Sequence, residues 1–221
     1  MIETPREKAS PGPEGQLVPG WLALVVLLLL VAVVGVGGFV ARGLMSKPRE
    51  MTPAQADIVS GEAKIKADPK NMDAVLQLGY AYQRDGQNDK AISEYAVVLK
   101  ADPKNTAALY NTGLIQIQTG KGKAGENSLW AVLKIDPKHA LAAKALGEYY
   151  ASKKQYKSLL VVVGPVAVAN PSLADLQYLL GEAYENLGEK DKALAAYNNA
   201  IQFAPDLKPA RDGLRRLQGG K

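Results

Sequence analysis

Residues with the chemistry to catalyse are few. His139 is the only histidine in the chain, and cysteine is absent. That removes disulfides, thiolate zinc sites, iron–sulfur clusters and a cysteine nucleophile together. Carboxylates remain, and Glu148, Glu182 and Glu185 are candidates for an acid–base cluster that exchanges protons with a substrate. A 34-residue period in the sequence already explains why these three acids align, and exposed acids of this sort line many binding grooves. His139 stands where a residue follows the proline of each period, so it reads as a helix-start residue rather than a base. No glycine-rich phosphate loop and no metal-ligand spacing occurs. The reading is therefore of no enzyme, with no catalytic residue, no cofactor, no metal and no small-molecule substrate.

The elements that position these residues fall into two regimes. With 47% hydrophobic and 22% charged residues the chain can build a packed core, which excludes disorder as its general state. The apolar residues are unevenly spread, however. WLALVVLLLLVAVVGVGGFV, from Trp21 to Val40, holds no charged or amide side chain, and as a helix it would be roughly 30 Å long, the thickness of a bilayer's hydrocarbon. Trp21 opens the run and Arg42, Lys47 and Arg49 close it, as interfacial anchors do. A cleaved signal peptide is the rival reading. The run is long for one, and Arg6 and Lys8 are separated from it by a Pro/Gly-rich stretch, so a single transmembrane helix over 21–41 is expected, behind a polar tail over 1–20 and ahead of a linker over 42–51. Basic residues close to its C-terminal end favour a cytoplasmic domain. A short N-terminal tail suits a signal anchor and an extracytoplasmic one, and the expectation leans that way, with the protein in the cell membrane. After residue 50 the lysines and arginines are interspersed with acids, so the net charge of +5 gives no compact patch of the kind that binds nucleic acid.

The period is the strongest signal. Pro69, Pro103, Pro137, Pro171 and Pro205 follow one another at intervals of 34 residues, in the phrases ADPKN, ADPKN, IDPKH, ANPSL and APDLK. Gly79, Gly113, Gly147 and Gly181 keep the same step, and three residues after each stand Tyr82, Gln116, Tyr150 and Tyr184. Ala91 and Ala193, followed four residues on by Tyr95 and Tyr197, complete the pattern in the outer units. Within a unit, apolar positions recur at helical spacing on either side of a polar turn such as RDGQND at 84–89, which predicts two short antiparallel helices, A and B. The glycine column lets helix B approach helix A, and each proline ends a B helix. Asp89 and Asp191 read as N-caps of their B helices. Such a pair cannot bury its apolar face alone, so several must stack.

This pattern resembles the tetratricopeptide repeat (TPR) family over residues 71–206. The resemblance implies an all-α, right-handed helical solenoid of four repeats, at 71–104, 105–138, 139–172 and 173–206. A capping helix at 52–68, with Thr52 as N-cap and Pro53 in its first turn, precedes them, and a second cap at 207–221 follows. Two units depart from the pattern. Gly125 and Leu129 replace the small residue and aromatic of helix B in the second, whose start KGKAGE is flexible. In the third, Gly164 and Pro165 fall inside helix B and predict a kinked or shortened helix.

The resemblance also implies where a partner binds, because TPR A helices line a concave groove. Its columns here hold Leu76, Tyr80, Tyr110, Asn111, Leu114 and Ile117 in the first two repeats, and Lys144, Glu148, Tyr178, Glu182 and Glu185 in the last two. One half is apolar and aromatic, the other net acidic. Of the Lys/Asn/Arg carboxylate clamp that chaperone-binding TPR domains use, only Asn111 remains. The expected function is a membrane-anchored scaffold that binds a peptide segment of a partner protein. The segment carries apolar anchors and some positive charge, and the task is assembly or chaperoning of an envelope complex of the cytochrome c maturation or secretion type. A constitutive structural subunit of a larger membrane complex is the second reading. Tyr80 and Tyr110 packing only between A helices is the alternative to their role as binding hot spots.

Overall fold

The structure is a computed structural model and describes residues 20–22, 24–31 and 51–219. The chain divides into two units, Met1–Glu50 and Met51–Lys221. In the first, residues 20–22 and 24–31 are helical with exposed side chains. The rest of the expected transmembrane segment, and nearly all of the tail and the linker, lie outside the described residues. Among the described residues no helix is long and apolar enough to cross a membrane.

The second unit is an all-helical solenoid of ten α-helices with no strand among the described residues: α1 (Pro53–Ala67), α2 (Met72–Arg84), α3 (Asn88–Ala101), α4 (Thr106–Gln118), α5 (Gly122–Ile135), α6 (Ala140–Ser152), α7 (Tyr156–Ala169), α8 (Ala174–Asn186), α9 (Lys190–Phe203) and α10 (Lys208–Gly219). The helices α2, α4, α6 and α8 are the A helices. The repeating phrase explains the turn between each unit and the next. Asp68, Asp102 and Asp136 end their helices, and each carboxylate accepts a hydrogen bond from the backbone N–H two residues on, at 3.0–3.1 Å. The proline prevents helix continuation. Asn71 and Asn105 then cap the next A helix, accepting from the N–H of Ala74 and Ala108 at 2.9 Å. His139 does the same through Nδ1, to Ala142 at 3.1 Å, which is the helix-start role expected of it. At α1, Thr52 and Gln55 form a reciprocal capping box with Pro53 at the first helical position.

The turn inside each unit closes differently. Gly86, Gly120 and Gly188 adopt φ of +78°, +82° and +78°, and Lys154 takes the equivalent position with φ +57°. The following N–H groups of Gln87, Lys121, Gln155 and Glu189 reach back to the carbonyls of Tyr82, Gln116, Tyr150 and Tyr184 at 2.7–2.9 Å. This tight closure makes the residue after the turn the N-cap of helix B, and none of these caps has a side-chain hydrogen bond. Asp89 and Asp191 are therefore not N-caps. They sit in the first turn, where their charge still faces the positive end of the helix.

The core runs as a stripe along the stack. The A-helix glycines do hold the B helices close: a Cβ on Gly79 would lie 2.5 Å from the Tyr95 ring, and one on Gly147 would lie 2.7 Å from Val163. In the second repeat two backbones meet, since a Cβ on Gly125 would come within 2.6 Å of the Gly113 carbonyl oxygen. The glycine that promised flexibility at that helix start is thus a buried contact, and α5 runs a full 14 residues. The expected shortening at Pro165 does not occur either, for α7 also keeps 14 residues. Pro165 and Val161, whose carbonyl the proline leaves without its helical partner, both lie on the exposed face, so water can satisfy that carbonyl. Polar ties link neighbouring units: the Tyr82 hydroxyl donates to Glu62 at 2.7 Å, and Trp130 donates to the Tyr150 hydroxyl, which donates to Glu126 at 2.8 Å.

Candidate partner-binding face

The residues expected in the groove separate into three groups. Leu76 and Tyr80 are half-buried and pack on the first core cluster, with the Tyr80 and Tyr95 rings edge-to-face at 5.8 Å. Tyr110, Leu114 and Ile117 pack against the central cluster. The Tyr110 ring lies 5.7 Å from that of His139, and burial pushes its hydroxyl above the usual tyrosine range. Tyr110 therefore bridges adjacent units, whereas Tyr80 packs on Tyr95 of its own repeat; both keep part of their surface open.

Two residues are withdrawn from partner contact. Asn111 is only 7% exposed and donates its amide to the Ala107 carbonyl at 2.7 Å. With it goes the last remnant of a carboxylate clamp. Glu185 accepts two hydrogen bonds from Arg216, both at 2.9 Å, and a third from the Tyr197 hydroxyl. The guanidinium beside it holds the Glu185 carboxyl below the usual carboxylate range, against a smaller upward effect of burial. It ties α10 to α8 and is not free to meet a ligand.

The remaining four converge. Lys144, Glu148, Tyr178 and Glu182 line one open cleft of about 340 Å³, together with Ala151, Asp175, Leu179, Leu207 and Pro209. Lys144 binds the Asp175 carboxylate directly and lies 3.9 Å from Glu148. The hydrogen bond with Asp175 raises the Lys144 pKa, with burial opposing it. Glu182 has no ion-pair partner among the described residues; burial pushes its carboxyl above the usual range, and the Tyr178 hydroxyl partly opposes this. One lysine against three acids leaves the cleft net negative, with apolar walls from Leu179, Leu207 and Pro209 and the Tyr178 ring beside them.

Asp175, Leu207, Pro209 and Arg216 were not legible as members of this face from the columns alone. A spacing of 31 residues carries two of them, since Lys144–Asp175 and Glu185–Arg216 both span it. Moving one repeat forward and one helical turn back joins the facing edges of neighbouring A helices, so 31 is the spacing for cross-repeat ion pairs.

Comparison with known proteins agrees with the geometry. Residues 76–126 and 174–207 each match family models described as tetratricopeptide repeat. These two stretches are tetratricopeptide repeats, and the helix pairs between and around them build the same kind of all-helical solenoid. A crystal structure of MamA protein is 27% identical and superposes with a TM-score of 0.60, covering 67% of this chain and 82% of that one. A MamA fragment (41-end) from Desulfovibrio magneticus RS-1 is 23% identical, with a TM-score of 0.61 over 68% of this chain and 85% of that one. A tetratricopeptide repeat protein from Parabacteroides merdae is 18% identical, with a TM-score of 0.64 over 85% of this chain and 71% of that one. No curated protein matches the sequence.

Proposed function

We propose that the protein is a single-pass, membrane-anchored scaffold whose A-helix face binds a segment of a partner protein carrying a basic side chain between apolar anchors. The observation that carries this reading is the cleft of Glu148, Asp175 and Glu182, acidic, walled by apolar side chains and floored beside Tyr178. A lysine or arginine entering it meets carboxylates at the side of an aromatic ring, an arrangement that favours cations by charge and by the ring's quadrupole. The half-buried Tyr80, Tyr110 and Leu114 offer apolar contact further along the same columns, as binding hot spots require. The anchor rests on the apolar run Trp21–Val40; the short N-terminal tail ahead of it is what supports repeats on the extracytoplasmic side, against the basic residues that follow the run, and an assembly or chaperone role in an envelope complex is the task this setting gives them.

Binding of fluorescent peptides with an arginine flanked by leucines to residues 51–221 tests the reading, with alanine and glutamate in place of the arginine as controls. Glu182→Lys and Tyr178→Ala should each weaken binding of the arginine peptide at least tenfold, and Tyr110→Ala should weaken it less. Equal affinity for the arginine and glutamate peptides would remove the acidic cleft from the account.

A further inference from the structure

The same period that aligns the core also aligns six lysines. Lys66, Lys100 and Lys134 end α1, α3 and α5, and Lys70, Lys104 and Lys138 stand in the turns that follow. All six are exposed, and none forms an ion pair with a described residue. Successive helices alternate in direction, so the three turns share one edge of the solenoid, each one helix pair from the next. Asp68, Asp102 and Asp136 lie in the same turns with their carboxylates bonded to backbone N–H groups, which leaves each turn with one net positive charge. The N-termini of α2, α4 and α6 open on this edge and add their partial positive charge. In the fourth turn Val168 and Ser172 replace the lysines, so the ladder stops there.

We propose that this edge rests on an anionic lipid surface, with the six lysines among the headgroups. The proposal rests on the membrane-anchored reading for its setting, since the three basic turns are those nearest in sequence to the apolar segment. Charge complementarity selects an anionic partner. The edge is lysine, aspartate, proline and asparagine with one aromatic ring, His139, which packs on Tyr110 and caps its own helix through Nδ1; a row of rings on which successive bases stack is missing among these turns, and this favours headgroups over a single-stranded nucleic acid. A lysine near an anionic leaflet strengthens binding by roughly fivefold. A charge-reversing triple substitution should therefore weaken it by roughly a hundredfold or more.

The unit Met51–Lys221 contains all three core clusters and both terminal helices, and so folds without the residues before it. Its co-sedimentation with phosphatidylcholine vesicles, with and without phosphatidylglycerol, tests the proposal. Expected is binding that requires phosphatidylglycerol and fades with added salt. Lys66→Glu, Lys100→Glu and Lys134→Glu together should abolish it, whereas Lys121→Glu, Lys157→Glu and Lys190→Glu, with the same change in net charge on the opposite edge, should leave most of it. Circular dichroism confirms that both variants are folded. No binding to phosphatidylglycerol vesicles, equal loss in the two triple variants, or tighter binding to single-stranded DNA than to vesicles would overturn the proposal. Alkaline carbonate extraction of the full chain reads the anchor separately, so failure of one is not mistaken for failure of the other.

Discussion

Gly181 lies against a ring that has nowhere to go. A Cβ there would stand 2.4 Å from Cδ1 and 2.5 Å from Cε1 of Tyr197. Tyr197 is fully buried, and on its far side a Cβ at Gly213 of α10 would come within 2.5 Å of Cε2. Its hydroxyl is bonded to Glu185, so the ring is held at both faces and at its tip. Overpacking of this sort costs about 1–3 kcal/mol. Alanine regains about 0.5–1 kcal/mol over glycine inside a helix, so Gly181→Ala should lose up to about 2.5 kcal/mol net, with the middle of the range at about 1. Urea unfolding followed by circular dichroism, carried out on the single variant and again in the Tyr197→Ala background, reads the effect as a cycle. Without the ring, the added methyl group loses its three closest contacts, and the substitution should become neutral or stabilising. An equal loss in both backgrounds, or no loss in the parent, would refute the steric reasoning.

Three further outcomes follow from the structure. The buried hydroxyl of Thr112 has no hydrogen-bond partner, so the isosteric Thr112→Val should raise stability by about 1 kcal/mol, read as a higher Tm. Lys154 occupies a left-handed conformation where the other repeats place glycine, and Lys154→Gly should stabilise by up to about 1 kcal/mol in the same assay. The two acids of the last repeats should respond oppositely to pH. Glu185 has a lowered pKa, so its stabilising tie to Arg216 is present above the usual carboxylate value and is lost as pH falls through the lowered one; Arg216→Ala should remove that dependence. Glu182 has a raised pKa, so affinity for a basic peptide should begin to fall at a higher pH than an ordinary carboxylate would give. Glu182→Gln should abolish that dependence in a fluorescence titration.

The solenoid was legible because its signals repeat. Proline, glycine and tyrosine columns each carry a local mechanism, and the structure places Pro69, Gly79 and Tyr82 where those mechanisms require. What misled was context beyond one residue's preference. Asp89 has the right chemistry for an N-cap, but the closure of the preceding turn shifts the cap position two residues earlier. Pro165 was expected to kink or shorten its helix, and the shortening does not occur because its displaced carbonyl faces water. Half of the acidic cleft was visible as the columns of Lys144, Glu148, Tyr178 and Glu182. Its other half was not, because Asp175, Leu207 and Pro209 enter from adjacent helices at spacings other than 34. Asn111 and Glu185 shared the groove columns and were still unavailable, one turned into the core and the other bound by Arg216, a distinction that only the packing reveals.

The central claim is that this scaffold engages its partner through the A-helix face of repeats three and four. Photo-crosslinking tests it most directly, with a benzophenone amino acid placed at Glu148, in the cleft, or at Val97, exposed on helix B of the first repeat, in the full-length chain. The account predicts a discrete protein adduct from position 148 that is lost on adding Glu182→Lys, and none from position 97. An adduct from position 97 with none from position 148 would contradict it.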